Sequence, residues 1–485
     1  MGKITVVGLG PGNGRYLTRS AWDLLTQSKR VYLRTAKHPT VKELPTTIAI
    51  ESFDYLYETA DSFEDVYETI VGRLLTIAQE EEIVYAVPGH PFVGESTVTG
   101  LVERAEAQGV AIQIEPGLSF IEPMLTAVKL DGFEGFQLFD ALAMLARHIP
   151  PINPDVPLII GQVYNNLIAS ELKLNLMTLY PDEHSVVLVH GAGADAFELE
   201  EMPLYELDRS KNTAHLTSLY VPPLPYSASL PALAETVAIL RSPKGCPWDQ
   251  KQTPQSMRDG FLEEASEVLD ALDNNDPFGL EEELGDMFFH LLFQVQLARE
   301  DELFRLSDVL AGIDAKLRRR HPHVWGDLSV ADSDEVVVNW EEIKRREKGD
   351  VASESVLDNI PLALPALARS QKIQGWAGKT GFDWPDIEGV IAKFEEELGE
   401  LKTAVSPEEK LDELGDVLFT TVNLARWMDV DAETALREAN NKFTRRFQKV
   451  EQLASERHLD MSKMDIDELE ALWQEAKQAL GKRLP

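Results

Sequence analysis

Hydrophobic positions along this chain follow two textures. Up to about residue 221, short β-branched or apolar runs at 4–7, 83–87, 110–114, 158–160 and 185–189 stand between longer helical stretches. That spacing predicts strand–helix units on a mostly parallel sheet. From residue 227 onward the period is helical, Glu, Leu, Ala and Lys dominate, and no convincing strand appears. Between the two lies Val221-Pro222-Pro223-Leu224-Pro225-Tyr226-Ser227. Its clustered prolines break helix and strand alike and predict a linker. The pattern thus predicts a multidomain chain, α/β first and all-α after.

The helical part repeats itself. One copy reads Glu263-Glu264-Ala265-Ser266-Glu267 and then Glu283-Leu284-Gly285-Asp286. The other reads Glu396-Glu397-Leu398-Gly399-Glu400 and then Glu413-Leu414-Gly415-Asp416. The EExxE elements are offset by 133 positions and the ExxD elements by 130. A basic element follows each copy, Lys316 to Arg320 in the first and Lys442 to Arg446 in the second, offset by 126. Three elements recurring in order predict two related helical modules.

Residues three apart share a helix face, so two such helices packed together would gather four carboxylates. Four like charges repel and raise their own pKa values, and they become favourable around a divalent cation. An all-oxygen donor set selects Mg²⁺ or Mn²⁺ over Zn²⁺. A lone EExxE is most often a solvated, salt-bridged face; its duplication with an ExxD partner argues otherwise. Leu284, Met287, Phe288, Phe289, Leu291 and Leu292 predict that the ExxD helix is a core helix, as do Leu414, Val417, Leu418, Phe419 and Val422 in the second copy. A di-iron bundle would need Glu-x-x-His, which neither copy has; His290 follows Asp286 by four residues and its counterpart is Thr420. Lys442 and Arg446 share a face, as do Lys316 and Arg320, and could neutralise phosphate oxygens or simply pair with the acidic excess. Trp473 and Lys477 could stack a base and contact a phosphate, or dock the last helix.

Composition narrows the classes. A chain of 485 residues, 44% hydrophobic and 26% charged, is globular and long enough for about three domains. The net charge of −36 argues against a nucleic-acid or anionic-membrane binder. With Cys246 as its one cysteine the chain can form no internal disulfide, which fits a reducing compartment. No signal peptide and no apolar run of about 18 residues is present, so a cytoplasmic location is expected.

The residues of the second part carry a family resemblance. Besides the acidic motifs, Cys246-Pro247-Trp248-Asp249-Gln250, His321-Pro322-His323-Val324-Trp325-Gly326-Asp327, Gln371-Lys372-Ile373-Gln374, Gly381-Phe382-Asp383-Trp384 and Asn440-Asn441-Lys442-Phe443 stand where the patterns of the MazG family stand. Residues of about 230–480 resemble that family of nucleoside triphosphate pyrophosphohydrolases, built of tandem all-α modules. The resemblance implies Mg²⁺-dependent cleavage of NTPs and dNTPs to a monophosphate and pyrophosphate. It implies metal ligands Glu264, Glu267, Glu283 and Asp286 in the first module and Glu397, Glu400, Glu413 and Asp416 in the second. Lys442, Arg446, Trp473 and Lys477 are the implied substrate contacts, with Lys316 and Arg320 their counterparts. Glu263 and Glu396 are candidates for the general base. A homo-oligomer, a dimer through these helices, is also implied. Only the second module is followed by a Trp473–Lys477 pair, which favours it as the working one.

In the first part, Gly8-Leu9-Gly10-Pro11-Gly12 follows the run 4–7, Val87-Pro88-Gly89-His90-Pro91 follows 83–87, and Glu115-Pro116-Gly117-Leu118-Ser119 follows 110–114. These loops sit at strand C-termini, where open α/β sheets bind ligands; the bland alternative is tight βα turns. The first is neither the dinucleotide G-x-G-x-x-G nor a P-loop. In order, the three loops resemble the tetrapyrrole (corrin/porphyrin) methylases, whose fold has two α/β subdomains with S-adenosylmethionine between them. The implied cofactor residues are Gly10, Pro11, Gly89, His90 and Ser119. Where many active methylases carry Gly-Asp-Pro, this chain has Gly89-His90-Pro91. The expected division is a methylase-like domain at 1–221, a linker at 222–229, and helical modules at 230–350 and 351–485. Two other readings remain: a bifunctional enzyme that also transfers a methyl group to a small molecule, and a non-catalytic helical scaffold with a ligand-sensing domain.

Overall fold

The computed structural model describes every residue except 1, 61, 195–196, 348–354, 359 and 482–485, with the backbone alone at 341 and 345. The chain forms two compact units, Met1–Ile313 and Asp314–Pro485, divided within the helix Leu306–Arg320. The expected module boundary at 350/351 lies outside the described residues.

The first unit opens with a five-stranded sheet of β1 (Lys3–Gly8), β2 (Arg30–Leu33), β3 (Ala49–Ser52), β4 (Ile83–Val87) and β5 (Ala111–Glu115). Its order is β3-β2-β4-β1-β5 and every pairing is parallel. β1 is buried from Ile4 to Gly8, as an inner parallel strand covered on both faces must be. The covering helices Arg19–Gln27 and Phe63–Ala78 start where Thr18 and Ser62 accept backbone N–H bonds from Ala21 and Asp65. Ile70, Leu74, Leu101 and Tyr85 are fully buried between sheet and helices.

A second sheet joins β6 (Gln137–Asp140), β7 (Leu158–Gly161), β8 (Ser185–His190), β9 (Glu198–Pro203) and β10 (Thr217–Val221) in the order β6-β7-β10-β8-β9. Only β6–β7 is parallel here, so the expectation of a mostly parallel sheet fails for this half. The stretch joining β8 to β9 is too short for a crossover helix and forces a hairpin. β10 ends at Val221, where the proline run begins. That run is tied down: the Pro222 carbonyl meets His184 Nε2 at 2.9 Å, and the Ala228 N–H and Ser229 hydroxyl donate to Asp155 at 2.8 and 2.5 Å.

Beyond it every element among the described residues is helical. Arg258–Asp273 and Pro277–Glu300 form a hairpin, with Asp276 capping the second helix and Leu230–Arg241 laid against it through Val237, Leu292 and Phe293. In the second unit Ile387–Thr403 and Pro407–Trp427 form the equivalent hairpin, and a Ser406–Glu409 capping box starts its second helix. Ala432–Glu456 and Ile466–Gly481 pair through Val450, Leu453, Leu472 and Ala476.

The expectation that the ExxD helices are core helices needs correction. Leu292 and Val422 are buried, but Leu284, Phe288 and Leu291 are exposed, as are Leu414, Leu418 and Phe419. The hairpin partner and one further helix, Leu230–Arg241 in the first module and Ala366–Lys379 in the second, cover part of each ExxD helix, and the remaining flank stays open. No helix of the described residues is long and apolar enough to cross a membrane.

Candidate metal and nucleotide site

The two helices of each hairpin run antiparallel, which turns the sequence repeat into layers. Glu283 senses Glu267 most strongly among its charged neighbours, and Glu264 senses Asp286. One carboxylate oxygen each from Glu264, Glu267 and Glu283 falls within 4.8 Å of the others. In the second hairpin the same holds for Glu397, Glu413 and Asp416. Six of the eight expected ligands are therefore gathered, while Asp286 and Glu400 stand just outside the two triads. Both still act on them electrostatically: Asp286 on Glu264, and Glu400 on Glu413.

Partial burial and then the neighbouring carboxylates hold Glu264, Glu283 and Glu413 above the usual carboxylate range. Glu397 is buried, and its Oε2, like that of Glu413, has no hydrogen-bond partner. Oxygens left unpaired inside a cluster of like charge fit a hard divalent cation.

Sequence reading missed Lys393. Its Nζ lies 2.7 Å from Glu397 Oε1 and 3.0 Å from Glu396 Oε1. These hydrogen bonds hold the ammonium well above the usual lysine range. The signal was present: Lys393 precedes Glu396 and Glu397 by three and four residues, one turn back on the same helix. Both Glu396 and Glu263 are exposed, and Glu396 is paired to this cation beside the triad.

The basic residues fall in two settings. Arg446 lies over the Trp473 ring at 6.0 Å, and Trp473 also meets Phe443 at 5.0 Å. With Phe447 stacked on Phe443 they make an aromatic shelf across the last two helices, and Lys442 and Lys477 lie exposed on those same helices. Arg320, by contrast, forks onto Glu347 at 2.6 Å and lies over the Trp340 ring, while Arg319 takes the other oxygen of Glu347. The two guanidiniums hold the Glu347 carboxyl down at about 2. Lys316 is exposed on the same helix as Arg320.

Several motifs prove to be braces. Arg241 grips Glu300 and donates to the carbonyls of Asp249 and Gln252, which fixes the Cys246–Gln252 turn. Asp383 holds Arg426 at 2.6 Å and the Trp427 indole N–H at 3.2 Å. Gln371 spans Val430 and Ala432, and Gln374 donates to the Phe419 carbonyl at 2.7 Å.

In the α/β part the three Gly/Pro loops meet at the C-terminal edge of the first sheet. Gly10 and Gly89 form a bridge, the Gly89 N–H donating to the Gly10 carbonyl at 2.8 Å. A Cβ on Gly8 would lie 2.5 Å from the Gly89 carbonyl oxygen and 2.7 Å from the Gly117 nitrogen. Only backbone fits there, and Gly10 and Gly89 have φ of +77° and +66°. Pro11 sits in the first loop and His90 Nδ1 accepts from the Phe92 N–H at 3.0 Å. Ser119 is buried and donates to Glu122.

Sequence reading missed two further groups at this edge. Thr40 is buried and its hydroxyl donates to the carbonyls of Leu9 and Gly12. His38 is buried beside Gly10 with its Nδ1 unpaired, and burial pulls its pKa down to about 4. This backbone-lined cradle with an orphan imidazole nitrogen fits a compact polar cofactor.

The profile of the MazG nucleotide pyrophosphohydrolase domain matches residues 252–325 and 386–451, and that of the tetrapyrrole (corrin/porphyrin) methylases matches residues 3–208. The chain is 42% identical to the uncharacterized protein YabN of Bacillus subtilis over 98% of its own length and 99% of that protein's. It is 46% identical to the nucleoside triphosphate pyrophosphohydrolase of Escherichia coli, covering 49% of this chain and 93% of that one. With the nucleoside triphosphate pyrophosphohydrolase/pyrophosphatase MazG of Thermotoga maritima the identity is 44%, covering 49% of this chain and 91% of that one. A doubled acidic hairpin behind a glycine-lined α/β domain, matched end to end by one relative and through its helical half by the others, places this chain in the MazG family, with a tetrapyrrole methylase domain at its front.

Proposed function

We propose that the chain is a divalent-metal-dependent nucleoside triphosphate pyrophosphohydrolase, converting NTP or dNTP to the monophosphate and pyrophosphate. One observation carries the reading: each hairpin gathers three carboxylates within 4.8 Å. Glu264, Glu267 and Glu283, with Asp286, would hold Mg²⁺ or Mn²⁺ in the first module; Glu397, Glu413 and Asp416, with Glu400, in the second. The bound cation supplies Lewis-acid polarisation of the phosphate chain and a more acidic attacking water. Lys393 is the native counter-ion of Glu397, and its Nζ is free to swing to a phosphate oxygen once a cation takes over the carboxylates. That move would release Glu396 as the group that accepts the proton of the attacking water; Glu263 is its counterpart. Lys442, Arg446 and Lys477 would absorb charge on the departing pyrophosphate, and Trp473 would stack the base. Arg320, the counterpart of Arg446 in the repeat, is already taken by Glu347. This favours the second module as the working one.

The exposed stripes Leu284–Phe288–Leu291 and Leu414–Leu418 support a homodimer, because paired copies would bury them. Release of pyrophosphate and monophosphate from a panel of NTPs and dNTPs, with Mg²⁺ and with chelator, tests the reading in wild type, Glu283→Gln, Glu413→Gln and the double variant. Metal-dependent release that dies with Glu413→Gln assigns the second module, and no release from folded protein refutes the reading.

The loop cradle favours a second activity in the same chain. Gly10, Pro11, Gly89, His90 and Ser119 would bind S-adenosylmethionine, and the domain would pass its methyl group to a small acceptor. Calorimetric titration with S-adenosylmethionine tests the binding step, and no heat of binding removes it.

A further inference from the structure

The two hairpins match in their carboxylates and differ in what neutralises them. In the second, Lys393 Nζ lies 2.7 Å from Glu397 Oε1 and 3.0 Å from Glu396 Oε1. Glu397 is only 5% exposed, and its Oε2 has no hydrogen-bond partner. A buried carboxylate with one oxygen on an ammonium and the other unpaired is half satisfied, and the unpaired oxygen suits a second cation.

The repeat puts Gly260 where the second hairpin has Lys393. His290 fills that layer in the first hairpin: a Cβ on Gly260 would stand 2.9 Å from the imidazole Cε1. Among the described residues no lysine or arginine pairs with Glu264, Glu267 or Glu283, and the charged neighbours of Glu264 and Glu283 are other carboxylates.

The consequence is electrostatic. A divalent cation entering the first triad meets negative charge alone. One entering the second must take Glu397 from an ammonium already bonded to it, and that ammonium then stays nearby as a like charge. The Lys393 side chain is 35% exposed, so Nζ can turn outward. It leaves a buried carboxylate for water, however, unless an anion is offered in exchange, and a triphosphate offers several oxygens.

We infer that Lys393 is a resident cation that keeps free metal out of the second module until a triphosphate draws it away, so that this module takes its metal together with nucleotide while the first loads metal alone. The inference rests on reading the triads as metal sites of a triphosphate hydrolase and adds the order in which the second one fills.

Mn²⁺ titration of the full chain, cleared of metal by chelator and followed by the paramagnetic resonance of free Mn²⁺, tests this without any turnover. A Glu264→Gln/Glu283→Gln background leaves the second site alone to report. Lys393→Met keeps the aliphatic stem and removes the charge. It should tighten Mn²⁺ binding at least about tenfold in the absence of nucleotide. An α,β-methylene triphosphate, which resists cleavage, should raise the Mn²⁺ affinity of the Lys393 protein at least about tenfold more than that of Lys393→Met. An Mn²⁺ affinity unchanged or lowered in Lys393→Met, or an equal gain from the triphosphate in both proteins, overturns the inference. Should that variant not fold, as read by thermal unfolding in chelator, Lys393→Ala, with a strong helix former at the same position, takes its place with the same outcomes. A Lys393-dependent Mn²⁺ affinity in a chain that releases no pyrophosphate keeps the resident cation and removes the hydrolase reading. Pyrophosphate release with a Lys393-independent Mn²⁺ affinity does the reverse.

Discussion

The acidic triads fall on different compact units, Glu264, Glu267 and Glu283 on Met1–Ile313 and Glu397, Glu413 and Asp416 on Asp314–Pro485. Each unit should therefore carry its own metal-dependent stability. A ligand present at about a hundred times its dissociation constant adds about 2.7 kcal/mol to the folded state. For a unit of about 170 residues, at about 2–4 °C per kcal/mol, the second unfolding transition should rise by about 5–10 °C on adding Mg²⁺; the larger first unit should rise by about half as much. Glu413→Gln keeps the side-chain shape and removes one charge of the triad. It should leave the apo transition unchanged or higher, since it relieves repulsion, and it should cancel the metal shift of the second unit alone. The pH dependence follows from the sign of the shift. Burial and then Glu400, Glu397 and Asp416 raise the Glu413 pKa above its unfolded value. Its contribution to apo stability is thus fully present below the ordinary carboxylate pKa and is lost as pH rises through the raised one. Protons and metal compete for the same oxygens, so the metal shift should grow from pH 5 to pH 7.5. Differential scanning calorimetry of wild type and variant, with Mg²⁺ and with chelator, reads all of this. A full metal shift in Glu413→Gln, or one that shrinks as pH rises, refutes the reasoning.

Gly8→Ala should weaken S-adenosylmethionine binding at least about tenfold by calorimetry and lower the melting point of the first unit, because its Cβ meets the Gly89 carbonyl at 2.5 Å. Trp473→Ala should raise the KM for nucleoside triphosphates with kcat less affected, by the roughly 1–3 kcal/mol that stacking one base contributes; steady-state kinetics on a dNTP panel reads it. Asp383→Ala removes the acceptor of Arg426 and Trp427 and should cost about 2 kcal/mol in a urea melt without changing metal affinity.

The legible parts of the sequence were those where one physical requirement acts locally. Buried parallel strands must be continuously apolar, so the runs at 4–7 and 83–87 stood out as β1 and β4. β2, β3, β6, β9 and β10 did not: β3 is largely exposed and β9 reads Glu-Leu-Glu-Glu-Met-Pro, which is held by pairing with β8 rather than by its own pattern. The repeat exposed the acidic triads because helix geometry fixes which carboxylates share a face. It could not show that Arg320 is taken up by Glu347, since that partner lies 27 residues on in another helix. Nor could it show that His38 and Thr40 brace the glycine loop, because their contacts run from the start of the short 3-10 helix Pro39–Glu43 beyond β2 to the loop after β1. The GFDW and QKIQ motifs stand out in the sequence, but their work as braces depends on Arg426, Val430 and Phe419, which the fold brings to them.

The open flank of the ExxD helices and their inward acidic face are one problem seen from two sides. A helix that carries Glu283, Asp286 and His290 on one side has little room for apolar packing there, so its remaining apolar residues must be covered elsewhere. Leu284, Phe288 and Leu291 recur at helical spacing and stay 44–51% exposed in a single chain, and Leu414 and Leu418 repeat the pattern at 47% and 51%. Two independent copies of the motif keep the same bare stripe, so a chance surface leucine is a poor account of it. Dimerisation and catalysis should then be coupled: Leu418→Glu should yield a monomer by analytical ultracentrifugation. If the stripe closes the helix bundle around the triad, that monomer should also lose Mg²⁺ affinity. A monomer that binds Mg²⁺ as tightly as wild type would show that each hairpin holds its metal alone.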